Sequence, residues 1–128
     1  MSGNILLIDS VHTELFVALI DGDSLEVRTS PEQRKHDRNL NKLTAELIDC
    51  ADVFAVVTGP GSWTGSRVGV VATKAYALVT GKPIIELRAT DNRDELIAEA
   101  KRKCTAREFT TARELAPYYD AEFKVGIT

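Results

Sequence analysis

The sequence predicts an α/β fold: a mixed five-stranded sheet in the order βββαβαβα with helices packed on it. Three observations carry this. Apolar runs with strand character open the chain and are joined by turn residues. Beyond residue 36, continuous apolar runs alternate with stretches of helical period. Gly, Pro, Asp and Asn fall between these elements, where turns and caps need them.

Ile5 to Ile8 is a continuous apolar run that stops at Asp9-Ser10, as a buried strand with a polar tip does. Leu15 to Ile20 is a second run, and Asp21-Gly22 after it is a hairpin signal. Leu25, Val27 and Thr29 alternate with polar residues and predict a half-exposed third strand. The polar stretch Ser30 to Asp37, with Pro31, is a connection. Asp37 can cap a helix to about residue 50, whose apolar face is Leu40, Leu43, Leu47 and Ile48. Val53 to Val57 is a fourth strand, followed by the turn Gly59-Pro60-Gly61-Ser62. A helix over 64–79 is ended by Gly81 and Pro83. Ile84, Ile85 and Leu87 form a fifth strand, and Thr90 or Asn92 caps a third helix with Leu96, Ile97 and Ala100 inward. Glu108 to Thr111 reads as a short strand and Pro117-Tyr118-Tyr119 as an ordered tail.

The chain has 128 residues, 44% apolar and 27% charged, the profile of one globular domain large enough for its own core. A net charge of −3 excludes a nucleic-acid binder working by bulk charge. The apolar runs are too short for a membrane span, and no signal peptide precedes Asn4, so a cytoplasmic protein is expected. Cys50 and Cys104 belong to no CxxC or Cys/His cluster and read as reduced thiols.

No acid occurs between Asp52 and Glu86, where the only charges are Arg67, Lys74 and Lys82. A glycine turn between strand and helix in such a stretch can offer backbone N–H groups to an anion. Gly59, Gly61 and Gly65 fit neither the P-loop nor the dinucleotide spacing. A tight turn without a ligand therefore carries more weight than a phosphate cradle, and both stay open. On the helix, Val68, Val71, Ala75 and Leu78 share one face, while Gly65, Gly69, Ala72 and Tyr76 form a second line. The small residues of that second line would let another helix approach closely. The helix at 37–50 and a helix of another subunit are both candidates.

Asn4-Ile5-Leu6-Leu7-Ile8-Asp9-Ser10 resembles the opening strand of the TsaB (YeaZ) family, and His36-Asp37-Arg38-Asn39-Leu40 resembles that family's His-Ser-x-x-Leu helix entry. Gly59-Pro60-Gly61-Ser62-Trp63-Thr64-Gly65-Ser66-Arg67-Val68-Gly69, continued by Ala72-Thr73-Lys74 and Gly81-Lys82-Pro83-Ile84, is similar to its central signature, with Trp63 for the usual Phe and Ser66 for a Leu. The resemblance implies an actin-like ATPase (ASKHA, RNase H-like) lobe over 1–104 and a reduced C-terminal segment over 105–128, in which Pro117-Tyr118-Tyr119 looks like the family's terminal Pro-x-Tyr. It also implies a non-catalytic subunit in tRNA threonylcarbamoyladenosine synthesis. The implied partners are a TsaD-type catalytic paralogue, a TsaE-type ATPase in the same complex, and a second copy when the chain is alone. tRNA would be met only through the complex, and no membrane is involved.

On that reading the partner interface is Leu40, Leu43 and Leu47 with Gly65, Arg67, Val68, Gly69, Ala72, Thr73 and Tyr76, and Gly69→Glu abolishes partner binding. Asp9, Ser10, Gly59, Gly61 and Ser62 are the candidate phosphate or nucleotide contacts. No cofactor is expected beyond weak nucleotide binding, and no metal. Asp9 stands where actin-like ATPases keep an acid, but Ser10-Val11-His12 supplies no glycine, so Asp9 reads better as a strand-end hydrogen-bond partner. His12 and His36 are too far apart for the paralogue's HxxxH metal pair. Ser62 has no His or acid partner in sequence and better fits a turn or cap. Lys101-Arg102-Lys103 suits a helix C-terminus more than a tRNA phosphate contact. A small ATPase and a partnerless homodimer are the alternatives to the scaffold.

Overall fold

The computed structural model describes residues 3–12, 14–30, 36–61 and 63–116, with the side chains of 36–39 and 63–66 excepted. Pro117-Tyr118-Tyr119, Ser62 and the side chain of His36 lie outside the described residues.

The elements are β1 (Ile5–Asp9), β2 (Leu15–Asp21), β3 (Ser24–Ser30), α1 (His36–Thr44), β4 (Val53–Gly59), α2 (Trp63–Thr80), β5 (Ile84–Arg88) and α3 (Arg93–Ala106). The five strands form one sheet in the order β3-β2-β1-β4-β5. β1 is antiparallel to β2 and parallel to β4, and β4 is parallel to β5, so the sheet is mixed as the sequence predicts. Side-chain alternation along the buried strands divides the core into two layers. Leu6, Ile8, Val17, Phe54 and Val56 face α1 and α2, while Ile5, Leu7, Ala18, Ala55 and Val57 face α3.

The hairpin turns one residue later than Asp21-Gly22 predicts. Asp21 pairs with Ser24, which leaves Gly22-Asp23 as the loop, with Gly22 at φ +58°. A positive φ at the first central residue suits the right-handed twist of the strands it joins. β3 is also less covered than its alternation predicts. Leu25 and Val27 pair with Ile20 and Ala18, so they extend the α3-facing layer, yet each is 46% exposed because β3 is an edge beyond the reach of α3.

α1 begins at His36, so Asp37 lies inside the helix and not at its cap, and the helix stops at Thr44, short of the expected residue 50. Thr44 Oγ1 bonds back to the Leu40 carbonyl at 2.9 Å, and the Leu47 N–H bonds to the Thr44 carbonyl at 2.8 Å. These tighter bonds turn the chain into a 3₁₀ segment, Ile48–Cys50, and still deliver Leu47 to the core.

α2 and α3 form where the sequence places them. Asn92 caps α3 by accepting from the N–H groups of Asp94 and Glu95. At its other end the Arg107 N–H bonds to the Cys104 carbonyl and the Glu108 N–H to the Lys103 carbonyl, a Schellman motif with Arg107 at φ +57°. Lys101-Arg102-Lys103 therefore lies inside the helix, two of its cations engaged: Arg102 by Glu99 and Glu108, Lys103 by the Glu86 carbonyl. The boundary expected at 104 falls just before the end of α3. The predicted strand at 108–111 is one bridge, Thr110 to Ile84, after which Leu115 is buried in the α2-side layer.

Candidate functional site

The C-terminal ends of β1 and β4 lie side by side, and in open α/β sheets this is the edge where ligands bind. Asp9 ends β1 at 1% exposure. Its carboxylate accepts the Val11 N–H at 3.0 Å and lies 2.6 Å from His12 Nδ1, while His12 Nε2 is 3.8 Å from Asp91 Oδ1. Asp9 is thus a strand-end partner that holds its own loop. Ser10 is fully buried, and its hydroxyl accepts the Gly69 N–H at 2.8 Å. Both side chains are thus engaged within the chain, Asp9 by its own loop and Ser10 by α2. Gly59 is buried at φ +127°, and its carbonyl accepts the Ala89 N–H at 2.7 Å, so it ties β4 to the end of β5. Gly61 is half-buried in the same turn. Among the described residues no group of three His, Cys, Asp or Glu is placed to hold a metal ion. His12 as the partner of Asp9 was missed by sequence reasoning, although the three-residue spacing was its one available signal.

α2 is the second part of the site. Gly69 faces the sheet. A Cβ there would sit 2.8 Å from Ser10 Oγ and 3.4 Å from the side chains of Ile8 and Val56. The small residue lets α2 settle on β1 and β4, which corrects its assignment to a helix–helix partner surface. Thr73 of the same helix is buried, and its hydroxyl has no hydrogen-bond partner among the described residues. Leu40 and Leu47 are buried in the α1/α2 layer and are likewise unavailable to another protein.

Ala72 and Tyr76 turn toward α1, so the helix that packs beside α2 is the chain's own. Tyr76 donates its hydroxyl hydrogen to Asn41 Oδ1 at 3.0 Å and lies 2.8 Å from Thr44 Oγ1, and its ring stands 5.9 Å from that of Phe54. Burial pushes the Tyr76 phenol above its usual pKa, and the hydrogen bond with Thr44 opposes that shift. Leu43 and Val68 are half-buried at the margin and Arg67 is exposed, while the burial of Gly65 lies outside what the structure describes. The outward face is the other one. Val71 is 57%, Leu78 75% and Val79 87% exposed, with Ala75 exposed between them.

A family model described as TsaD, tRNA N6-adenosine threonylcarbamoyltransferase, matches residues 29–92, half of the chain. The chain belongs to this family. The match spans α1, β4 and α2 but not β1, so it covers the helix part of the site and leaves out Asp9, Ser10 and His12. A tRNA N6-adenosine threonylcarbamoyltransferase of Ehrlichia canis is 43% identical over 61 residues, which are 42% of this chain and 17% of that protein. YeaZ from Pseudomonas aeruginosa superposes with a TM-score of 0.62 at 23% identity, over 69% of this chain and 44% of that one. A protein described as similar to peptidase YEAZ from Pseudomonas aeruginosa gives a TM-score of 0.56 at 22% identity over the same shares. The TsaD-family fold, an actin-like lobe, is therefore that of YeaZ, and this chain spans less than half the length of these relatives. Among the described residues no helix is long and apolar enough to cross a membrane.

Proposed function

We propose that this chain is a YeaZ-type, non-catalytic subunit that binds and activates a TsaD-type catalytic paralogue in tRNA threonylcarbamoyladenosine synthesis, and that α2 is its docking helix. The observation that carries the reading is the outward stripe Val71-Ala75-Leu78-Val79 on a helix whose opposite face is already packed on the sheet. A helix apolar on both sides suits burial on both sides. Arg67 and Lys74 are the only charges along α2, so an acidic rim on the partner would complement it.

The assignment of no chemistry to this subunit is supported by the Asp9 carboxylate, which is engaged by its own loop, and by Ser10, which is engaged by α2. tRNA and a TsaE-type ATPase would be met through the assembled complex. The same stripe would serve a homodimer when the paralogue is absent.

The test is light scattering on a sizing column, with the chain alone and mixed with the paralogue. The double variant Val71→Asp/Leu78→Asp changes exposed positions, so its stability should stay within about 0.5 kcal/mol of the parent. We expect the parent to form a heterocomplex and the variant to remain folded and alone. A folded variant that still enters the complex would sink the proposal.

A further inference from the structure

At the opposite end of the sheet from Asp9 and Gly59, on the face covered by α3, lies a cavity of about 590 Å³. One side of it is apolar: Ile5 and Val53 at the starts of β1 and β4, Ile20 at the end of β2, Pro83 before β5, and Phe109. Its volume is that of a small-molecule site. Cys104 stands in the wall, and Lys101 and Arg107 flank it, one helical turn to either side. Neither of these cations forms a side-chain hydrogen bond or ion pair with any described residue. Asp23 of the hairpin is the one acid in the lining.

Arg107 carries a second, independent oddity. It occupies the left-handed position of the Schellman motif, where glycine is the unstrained choice. A long cation kept at a strained turn beside an apolar cavity is what a ligand-facing residue looks like.

We infer that this cavity binds a small amphipathic anion, with its hydrocarbon body against Ile5, Ile20, Val53 and Phe109 and its carboxylate, sulfonate or phosphate head between Lys101 and Arg107. The site is on the face away from α2 and stands whether or not α2 docks a partner.

Cys104 reports occupancy. In the full chain carrying Cys50→Ser, Cys104 is the only thiol, and its rate of alkylation by neutral N-ethylmaleimide is followed with octanoate, octan-1-ol or octylamine added. Octanoate should slow the reaction about tenfold once its concentration is about tenfold above its Kd, and octylamine should have no effect. Arg107→Gly, which suits the turn, should weaken octanoate about tenfold. Protection by octan-1-ol equal to that by octanoate would overturn the proposal, because the head group would then not be recognised. So would the absence of octanoate protection, or an Arg107→Gly protein that is protected as well as its parent. A thiol already unreactive without ligand would overturn it too, since the cavity would then be filled by protein.

Discussion

Gly69→Ala tests the central packing argument. The added Cβ would lie 2.8 Å from Ser10 Oγ, the atom that accepts the Gly69 N–H, with Ile8 and Val56 at 3.4 Å behind it. Ser10 is fully buried and cannot swing aside into solvent. Overpacking of this kind costs about 1–3 kcal/mol, and a weakened buried hydrogen bond adds about 1 kcal/mol. The better helix propensity of alanine returns about 1 kcal/mol. The net is a loss of about 2 kcal/mol, or roughly 6–10 °C in Tm for a domain of this size. Urea and thermal unfolding of Gly69→Ala, Ser10→Ala and the double variant close a double-mutant cycle. Removing Ser10 Oγ clears the one contact below 3 Å, so alanine at 69 should cost little in the Ser10→Ala background. A Gly69→Ala penalty equal in both backgrounds would refute the reasoning, as would a variant as stable as its parent. Gly69→Glu, attractive from sequence as a partner-binding probe, would disrupt this packing instead and report on folding.

Tyr76→Phe removes a hydroxyl shared with Asn41 and Thr44 and should cost about 1 kcal/mol in chemical denaturation. Burial raises the Tyr76 phenol above 10.0 in the folded state. The unfolded chain therefore loses this proton first as pH rises. The contribution of Tyr76 is fully present below pH 10 and is lost as the folded phenol titrates, so stability should fall on the alkaline side more steeply in the parent than in Tyr76→Phe. Arg107→Gly relieves a left-handed backbone and should stabilise the fold by about 1 kcal/mol; an unfolding curve shifted to lower denaturant would contradict the strain assigned there. Asn92→Ala removes the acceptor for two N–H groups of α3 and should cost about 1 kcal/mol, seen as a lower urea midpoint with an unchanged m-value.

The strands were legible because periodicity and burial agree in them. Ile5 to Ile8 and Val53 to Val57 are continuous apolar runs because both faces of β1 and β4 are covered by helices, a state that composition records directly. The end of α1 was not legible. Leu47 and Ile48 keep helical spacing, but Thr44 bonds back to Leu40 and the next turns close at shorter range, a competition between hydrogen bonds that leaves the apolar pattern unchanged. The exposure of Leu25 and Val27 was hidden for another reason: alternation states which residues share a face, and only topology states whether a helix reaches that face.

The candidate site was half legible. Two apolar lines could be drawn on α2 from sequence, but period alone does not say which line meets the sheet. Gly69 decides it, because the close neighbours of its missing Cβ are Ser10, Ile8 and Val56, on strands distant in sequence. The small residues go inward for close approach, and the large aliphatics are left outside. His12 beside Asp9 was hidden because a loop, not a regular element, brings it back onto the strand end.

The contrast between α2 and α3 gives the surface argument its force. Both helices cover one layer of the same sheet. α3 turns Asp94, Glu95 and Arg102 outward and buries Leu96 and Ala100, as a helix with water on its far side should. α2 turns Val71, Ala75, Leu78 and Val79 outward in the longest helix of the described residues. Water facing such a stripe is unfavourable by about 25 cal/mol per Å² of apolar area, and α2 carries no acid to offset it. One fold thus gives one helix a water-facing side and another a side suited to protein. That asymmetry lies in the sequence of α2 itself, so it should survive any change in the cavity below α3 and disappear only when the stripe is made polar.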